Sequence, residues 1–128
     1  SSWLGVVVGL VLVAGGAWAI NFTYQNVSRE KIVTPADASI PEAPVAGPLT
    51  LKAQADIIRT HALESSGGLT YAEMQREDPK RATWVTATTL ITALHLGVIT
   101  YLFSGLILLL GLISIWTGLV FHALSKRY

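Results

Sequence analysis

Apolar and polar positions along this chain are segregated rather than alternating. No charged residue occurs between Trp3 and Ile20, and none between Ala82 and Ser125. Apolar runs of about 18 or more residues read as helices long enough to cross a bilayer. The first run predicts a transmembrane helix over residues 1–22, with Trp3 and Trp18 near its ends as interfacial anchors. The second run is too long for one crossing. Its 44 residues make a helix of roughly 66 Å, against a hydrocarbon core of about 30 Å. Its character also changes. TWVTATTLITALH is rich in threonine, and GVITYLFSGLILLLGLISIWTGLVF is continuously apolar. Residues 82–95 are therefore predicted to be a helical stalk outside the lipid, its hydroxyls bonding back to carbonyls one turn earlier. Residues 96–121 are predicted to be the second transmembrane helix, and 122–128 a tail.

The middle of the chain carries clear punctuation. Residues 23–49 are predicted to be an extended proline-rich strap, because TPADASIPEAPVAGP holds four prolines and a glycine. Thr50 is placed to cap a helix over LKAQADIIRTHALESS, with Leu51, Ala55, Ile58 and Ala62 on one apolar face. Gly67–Gly68 ends it by admitting left-handed backbone. Thr70 and Glu73 have capping-box spacing ahead of a short helix, YAEMQRE. Asp78 and Pro79 read as N-cap and first residue of the long final helix. Residues 50–81 thus form a small helical cap. The expected fold is an all-α membrane protein, two transmembrane helices in a hairpin carrying a helical cap and a Pro-rich strap.

Composition sharpens this picture. Hydrophobic residues make up 52% and charged residues 13%, about half the charged share of a soluble domain. The absence of cysteine excludes disulfides, thiolate metal sites, a Cys nucleophile and a lipobox anchor. A net charge of +1 without a basic stripe gives no grip for nucleic acid. Lys126 and Arg127 follow the second span directly and predict a cytoplasmic C-terminus. Two spans return the N-terminus to the same side, which leaves the cap and strap extracytoplasmic in a plasma membrane. Ala17–Ala19 resembles a signal-peptidase site, yet the apolar run is long for a signal sequence, so the segment is read as retained.

Small residues mark where helices approach closely in lipid. Gly5 with Gly9, and Gly15 with Ala19, form small-xxx-small pairs on the first span. Ser104, Gly111, Ser114 and Gly118 supply small positions on the second. These eight residues are expected to pack against partner helices. On the cap, Ile58, His61, Tyr71, Met74, Arg76 and Trp84 are expected to dock against a partner's outer surface.

Catalytic chemistry finds little support. His61 and Glu64 lie three residues apart on one helix, but a structural zinc site takes four ligands. His95 and His122 fall near opposite ends of the second span; haem ligation with a partner chain is the chemical alternative to a plain interfacial role. Asp56, His61, Ser65 and Ser66 would be strung along a helix axis rather than converging as a triad. The spans hold no Asp, Glu, Lys or Arg, which argues against an ion pathway in this chain alone. No catalytic residue, metal or cofactor is expected.

The stretch GPLTLKAQADIIRTHALESSGGLTYAEMQREDPKRAT, with the two-span frame around it, resembles a family of small actinobacterial membrane proteins. Members are often described as aromatic-ring-opening dioxygenases. Such non-haem iron enzymes need two histidines and a carboxylate in one pocket, a set that these residues do not supply. The resemblance implies instead an actinobacterial plasma-membrane protein, added as a small subunit to a large envelope assembly such as an Mce-type lipid transporter or a respiratory supercomplex. The expected function is a non-catalytic accessory subunit, with a larger membrane complex and lipids as partners. One alternative is a lipid- or ligand-binding module in which the stalk Trp84–His95 lines an apolar groove. Another is a metal-dependent membrane enzyme using His61 and Glu64.

Overall fold

A computed structural model describes residues 2–127. Among the described residues the regular structure is all helical, with no strand. Three α-helices follow in order: α1 (Ser2–Ser28), α2 (Pro48–Ser65) and α3 (Lys80–Arg127), with a 3-10 turn at Tyr71–Glu73 before α3. The chain divides into two compact units. The first holds residues up to Gln25 and from Thr100 onward, and the second holds Asn26–Ile99, so α3 contributes to both.

Two helices are long and apolar enough to cross a membrane, within Trp3–Ser28 and Lys80–Arg127. Only 11% and 17% of their most apolar windows are buried, whereas the core helix of a soluble protein buries most of its surface. Helix α1 continues six residues past the expected end at residue 22. Nothing between Asn21 and Ser28 breaks it, and Thr23 Oγ1 donates to the Ala19 carbonyl at 2.7 Å, satisfying its own hydroxyl. The helix ends before Lys31, whose φ is 55°.

In the first unit the two helices run antiparallel in close contact. The buried positions of α1 are Gly9, Gly16 and Thr23; those of α3 in this unit are Ser104, Gly111 and Gly118. Each set recurs every seven residues, the period of a left-handed helix seam. A Cβ added at Gly9 would lie 2.5 Å from the Gly111 carbonyl oxygen, and one at Gly111 would lie 2.8 Å from that of Gly9. At Gly16 it would meet Ser104 O and Leu108 N at 3.0 Å. Ser114 Oγ donates to the Gly5 carbonyl at 2.7 Å, a hydrogen bond from helix to helix.

The second unit is built from caps and a compact core. Helix α2 begins at Pro48 rather than after Thr50, so Thr50 is its third residue, not its N-cap. Thr50 still satisfies the helix start: its Oγ1 accepts from the Ala46 and Gly47 amides, each at 3.1 Å. Proline at the first helical position costs no hydrogen bond, which explains the earlier start. The far end closes as a Schellman motif. Gly68 N–H donates to Leu63 O at 2.7 Å and Gly67 N–H to Glu64 O at 3.3 Å, with φ of +88° and +71°.

The segment expected as the helix YAEMQRE makes only the single 3-10 turn. The Thr70–Glu73 box does form, with Glu73 Oε1 accepting from Thr70 Oγ1 at 2.7 Å and from Thr70 N at 3.2 Å. Seven residues cannot sustain a helix without tertiary support, and Met74 turns extended into the core instead. Asp78 then caps α3, its Oδ1 accepting from Lys80 N–H at 2.9 Å.

The strap is more ordered than extended chain. Thr34, only 2% exposed, organises it. Its amide donates to Ala43 O at 2.9 Å, and its Oγ1 accepts from the Ala43 amide at 2.9 Å and donates to Ile40 O. Val45 N–H donates to Ile32 O at 2.8 Å, and Val33 bridges Pro44.

Candidate docking site

The core of the second unit is a cluster of Ala62, Met74, Trp84 and Ala87, with Ile58 and Leu63 packed against it. Trp84 is 4% exposed and Met74 5%. This corrects the expectation that both residues dock to a partner. They are the largest apolar groups near the α2–α3 contact, and burial in their own unit claims them first. Ile58 is half-buried beside them. Of the six expected docking residues, His61, Tyr71 and Arg76 remain exposed.

Two arginines cover aromatic faces. The Arg81 guanidinium lies 4.1 Å from the Tyr71 ring centroid, and that of Arg59 lies 5.9 Å from Trp84. Such contacts fix long side chains that would otherwise be mobile. His61 Nε2 lies 2.7 Å from Asp37 Oδ2, tying the strap to α2. The hydrogen bond to Asp37 raises the imidazole above its ordinary 6.5, with the charges of Asp37 and Glu64 adding to it. The same hydrogen bond holds Asp37 below 3.8. Glu73 is lowered by its bonds to the Thr70 hydroxyl and amide. No hydrogen bond joins His61 to Ser65 or Ser66; the Ser66 hydroxyl donates instead to Leu69 O at 2.6 Å. The residues of the notional triad are therefore not assembled. Among the described residues, no three His, Cys, Asp or Glu side chains converge as metal ligands.

Two grooves open on the unit's surface. One, of about 490 Å³, runs between α2 and α3 past Ile58, His61, Ser65, Thr83, Thr86 and Leu90. The other, of about 610 Å³, follows the Thr-rich part of α3 from Val85 to Leu96, with Tyr71 at its edge. The Thr89 hydroxyl donates to Val85 O at 2.7 Å and that of Thr86 to Ala82 O at 3.3 Å. With its hydroxyl bonded back to its own helix, Thr89 offers the groove its methyl group. Val85 is 52% exposed and Leu96 58%. The spacing of Val85, Thr88–Thr89, Thr92 and Leu96 is that of a helix seam.

The small residues expected to meet partner helices mostly face each other. Gly5, Gly9, Ser104, Gly111, Ser114 and Gly118 lie in or beside the α1–α3 contact of the first unit. Gly15 opens onto free space, and its neighbour Gly16 takes the contact instead. Ala19 is half-buried. The seven-residue recurrence of Gly9, Gly16 and Thr23 is visible in the sequence and marks the true seam; spacing by four picks the wrong glycine of the pair.

Missed entirely from sequence were Asp37, as the partner of His61, and Thr34, as the centre of the strap. A buried threonine in a Pro-rich segment carries no local pattern. Comparison with known proteins returns no match to this chain among family models, characterised proteins or solved structures.

Proposed function

We propose that this chain is a non-catalytic accessory subunit of a larger bacterial plasma-membrane complex. The Mce-type lipid transporters and respiratory supercomplexes are the assemblies to which its resemblance points. In this reading α1 and the C-terminal part of α3 form a transmembrane hairpin, and the second unit is an extracytoplasmic cap that docks onto a partner helix. The observation that carries it is the exposed seam of α3 from Val85 to Leu96. Its apolar groups recur at helix-pairing spacing on a unit whose own core is already complete. A contiguous apolar stripe outside the lipid marks an interaction surface. The orientation follows from Lys126–Arg127 at the end of α3.

Photo-crosslinking amino acids at Val85 and Thr92, activated in native membranes, test the docking. The expected product is a covalent adduct with one larger membrane protein that also co-purifies in mild detergent. Isolation as a free monomer, with the second unit ordered and no adduct formed, would sink the reading. Because the chain lacks cysteine, single substitutions test the orientation. Ala36→Cys should react with an impermeant maleimide on intact cells, and Ser125→Cys only after permeabilisation. The reverse pattern would overturn the topology.

A further inference from the structure

A third cleft in the second unit differs in chemistry from the two grooves above. It has a volume of about 370 Å³ and is lined by Val27 of α1, Ile32 of the strap, Leu51 of α2 and Leu94 and Gly97 of α3, among other apolar groups. That volume lies within the usual range of small-molecule sites, about 300–1,000 Å³. Unfilled apolar space leaves lining atoms without dispersion partners, so a hydrocarbon gains by entering. Polar groups gather at the same cleft: Asn26, Glu30 and Gln54. Gln54 Oε1 is buried and has no hydrogen-bond donor. Glu30 adds a carboxylate, and Arg29 Nε lies 3.9 Å from Glu30 Oε1.

The location identifies the hydrocarbon. Asn26 and Val27 belong to the last turn of α1, within the stretch long and apolar enough to cross a membrane. Arg29, Glu30 and Lys31 follow at once. A cleft at the end of a spanning helix, with a charged cluster beside it, meets the bilayer where acyl chains give way to headgroups. The polar groups identify the headgroup. Glu30 and the unfilled Gln54 acceptor call for N–H donors on a cation, and the neighbouring Arg29 suits a phosphate.

We propose that this cleft holds an acyl chain of a bilayer phospholipid with a primary-ammonium headgroup, as in phosphatidylethanolamine. The ammonium meets Glu30 and Gln54, and the phosphate meets Arg29. The inference rests on the membrane reading above but not on the partner complex.

The full chain, reconstituted in nanodiscs of mixed phosphatidylethanolamine and phosphatidylglycerol and released for native mass spectrometry, provides the test. One phosphatidylethanolamine should remain bound per chain. Val27→Phe and Ile32→Phe, which fill the cleft from two different elements, should each lower retention about fivefold, equivalent to about 1 kcal/mol. Thr88→Phe, on the other face of α3, should leave it unchanged. Glu30→Gln should keep a bound lipid but erase the preference for the ammonium headgroup. Equal retention by wild type and both filled variants would overturn the proposal, as would a preference for phosphatidylglycerol. Release of the protein by alkaline carbonate would defeat the membrane reading itself, a result distinct from membrane-integrated protein without lipid.

Discussion

In the first unit, helices meet through Gly9, Gly16, Ser104, Gly111 and Gly118, backbone against backbone. In the second, α2 and α3 meet around Trp84 and Met74 with Ala62 and Ala87. The two contacts use opposite ends of the size scale. Large apolar side chains face outward in the first unit, as at Leu10, Trp18, Phe103 and Trp116, whereas Trp84 and Met74 at the α2–α3 contact of the second face inward. On the membrane reading proposed above, solvent accounts for the difference. Helices that face lipid gain nothing from hiding a leucine, so in that reading close approach, dispersion and hydrogen bonds such as Ser114–Gly5 hold the pair. In water, burial of a tryptophan is the strongest device that a small unit has.

Substitution can break this contrast. The largest effect is expected from Trp84→Ala, which should destabilise the second unit by about 3–5 kcal/mol. Hydrogen exchange should then show α2 and the strap losing protection while residues 5–16 and 104–118 keep theirs; loss across both units would show that the two contacts are not separate. Next comes Gly9→Leu. Its Cβ meets backbone at 2.5 Å, so relief by rotamer change is closed and a cost of about 3 kcal/mol follows. Gly15→Leu, with nothing within 4 Å, should stay within about 0.5 kcal/mol of wild type. Equal responses in a detergent-unfolding assay would contradict the seam. Ser114→Ala should cost about 0.6 kcal/mol, the average for such a bond between membrane helices.

The smallest effect concerns the exposed His61–Asp37 contact. His61 is held above 6.5 in the folded chain, so its contribution is fully present below 6.5 and fades as pH rises through the raised value. Asp37 is held below 3.8, so its contribution is present above 3.8 and fades as pH falls through the lowered value. The contact therefore stabilises most between 3.8 and 6.5. Melting of His61→Ala against wild type should differ slightly at about pH 5 and converge by about pH 9. A difference that grows with pH would exclude this pairing.

Much of the local structure is legible in the residues themselves. Gly67–Gly68, the Thr70–Glu73 box and Asp78 before Pro79 all act over one turn, and each forms its hydrogen bonds where its spacing indicates. Legibility falls off where a choice depends on distant atoms. Spacing by four points to Gly15 and spacing by seven to Gly16, and the contact with Ser104 and Leu108 selects the second. Trp84 is consistent with either a surface anchor or a core residue until α2 is laid beside it. Asp37 lies 24 residues before His61 along the chain, and no local rule joins them.

The sequence by itself determined the two long apolar helices, the breaks between elements and the caps that close them, because hydropathy and backbone conformation are properties of neighbouring residues. Tertiary contact chose between the two glycine spacings at the seam, turned Met74 and Trp84 inward, and closed the strap on Thr34 and on α2. Those outcomes depend on which surfaces come within a few ångströms of one another, and a distance across the fold is not written in any window of the chain.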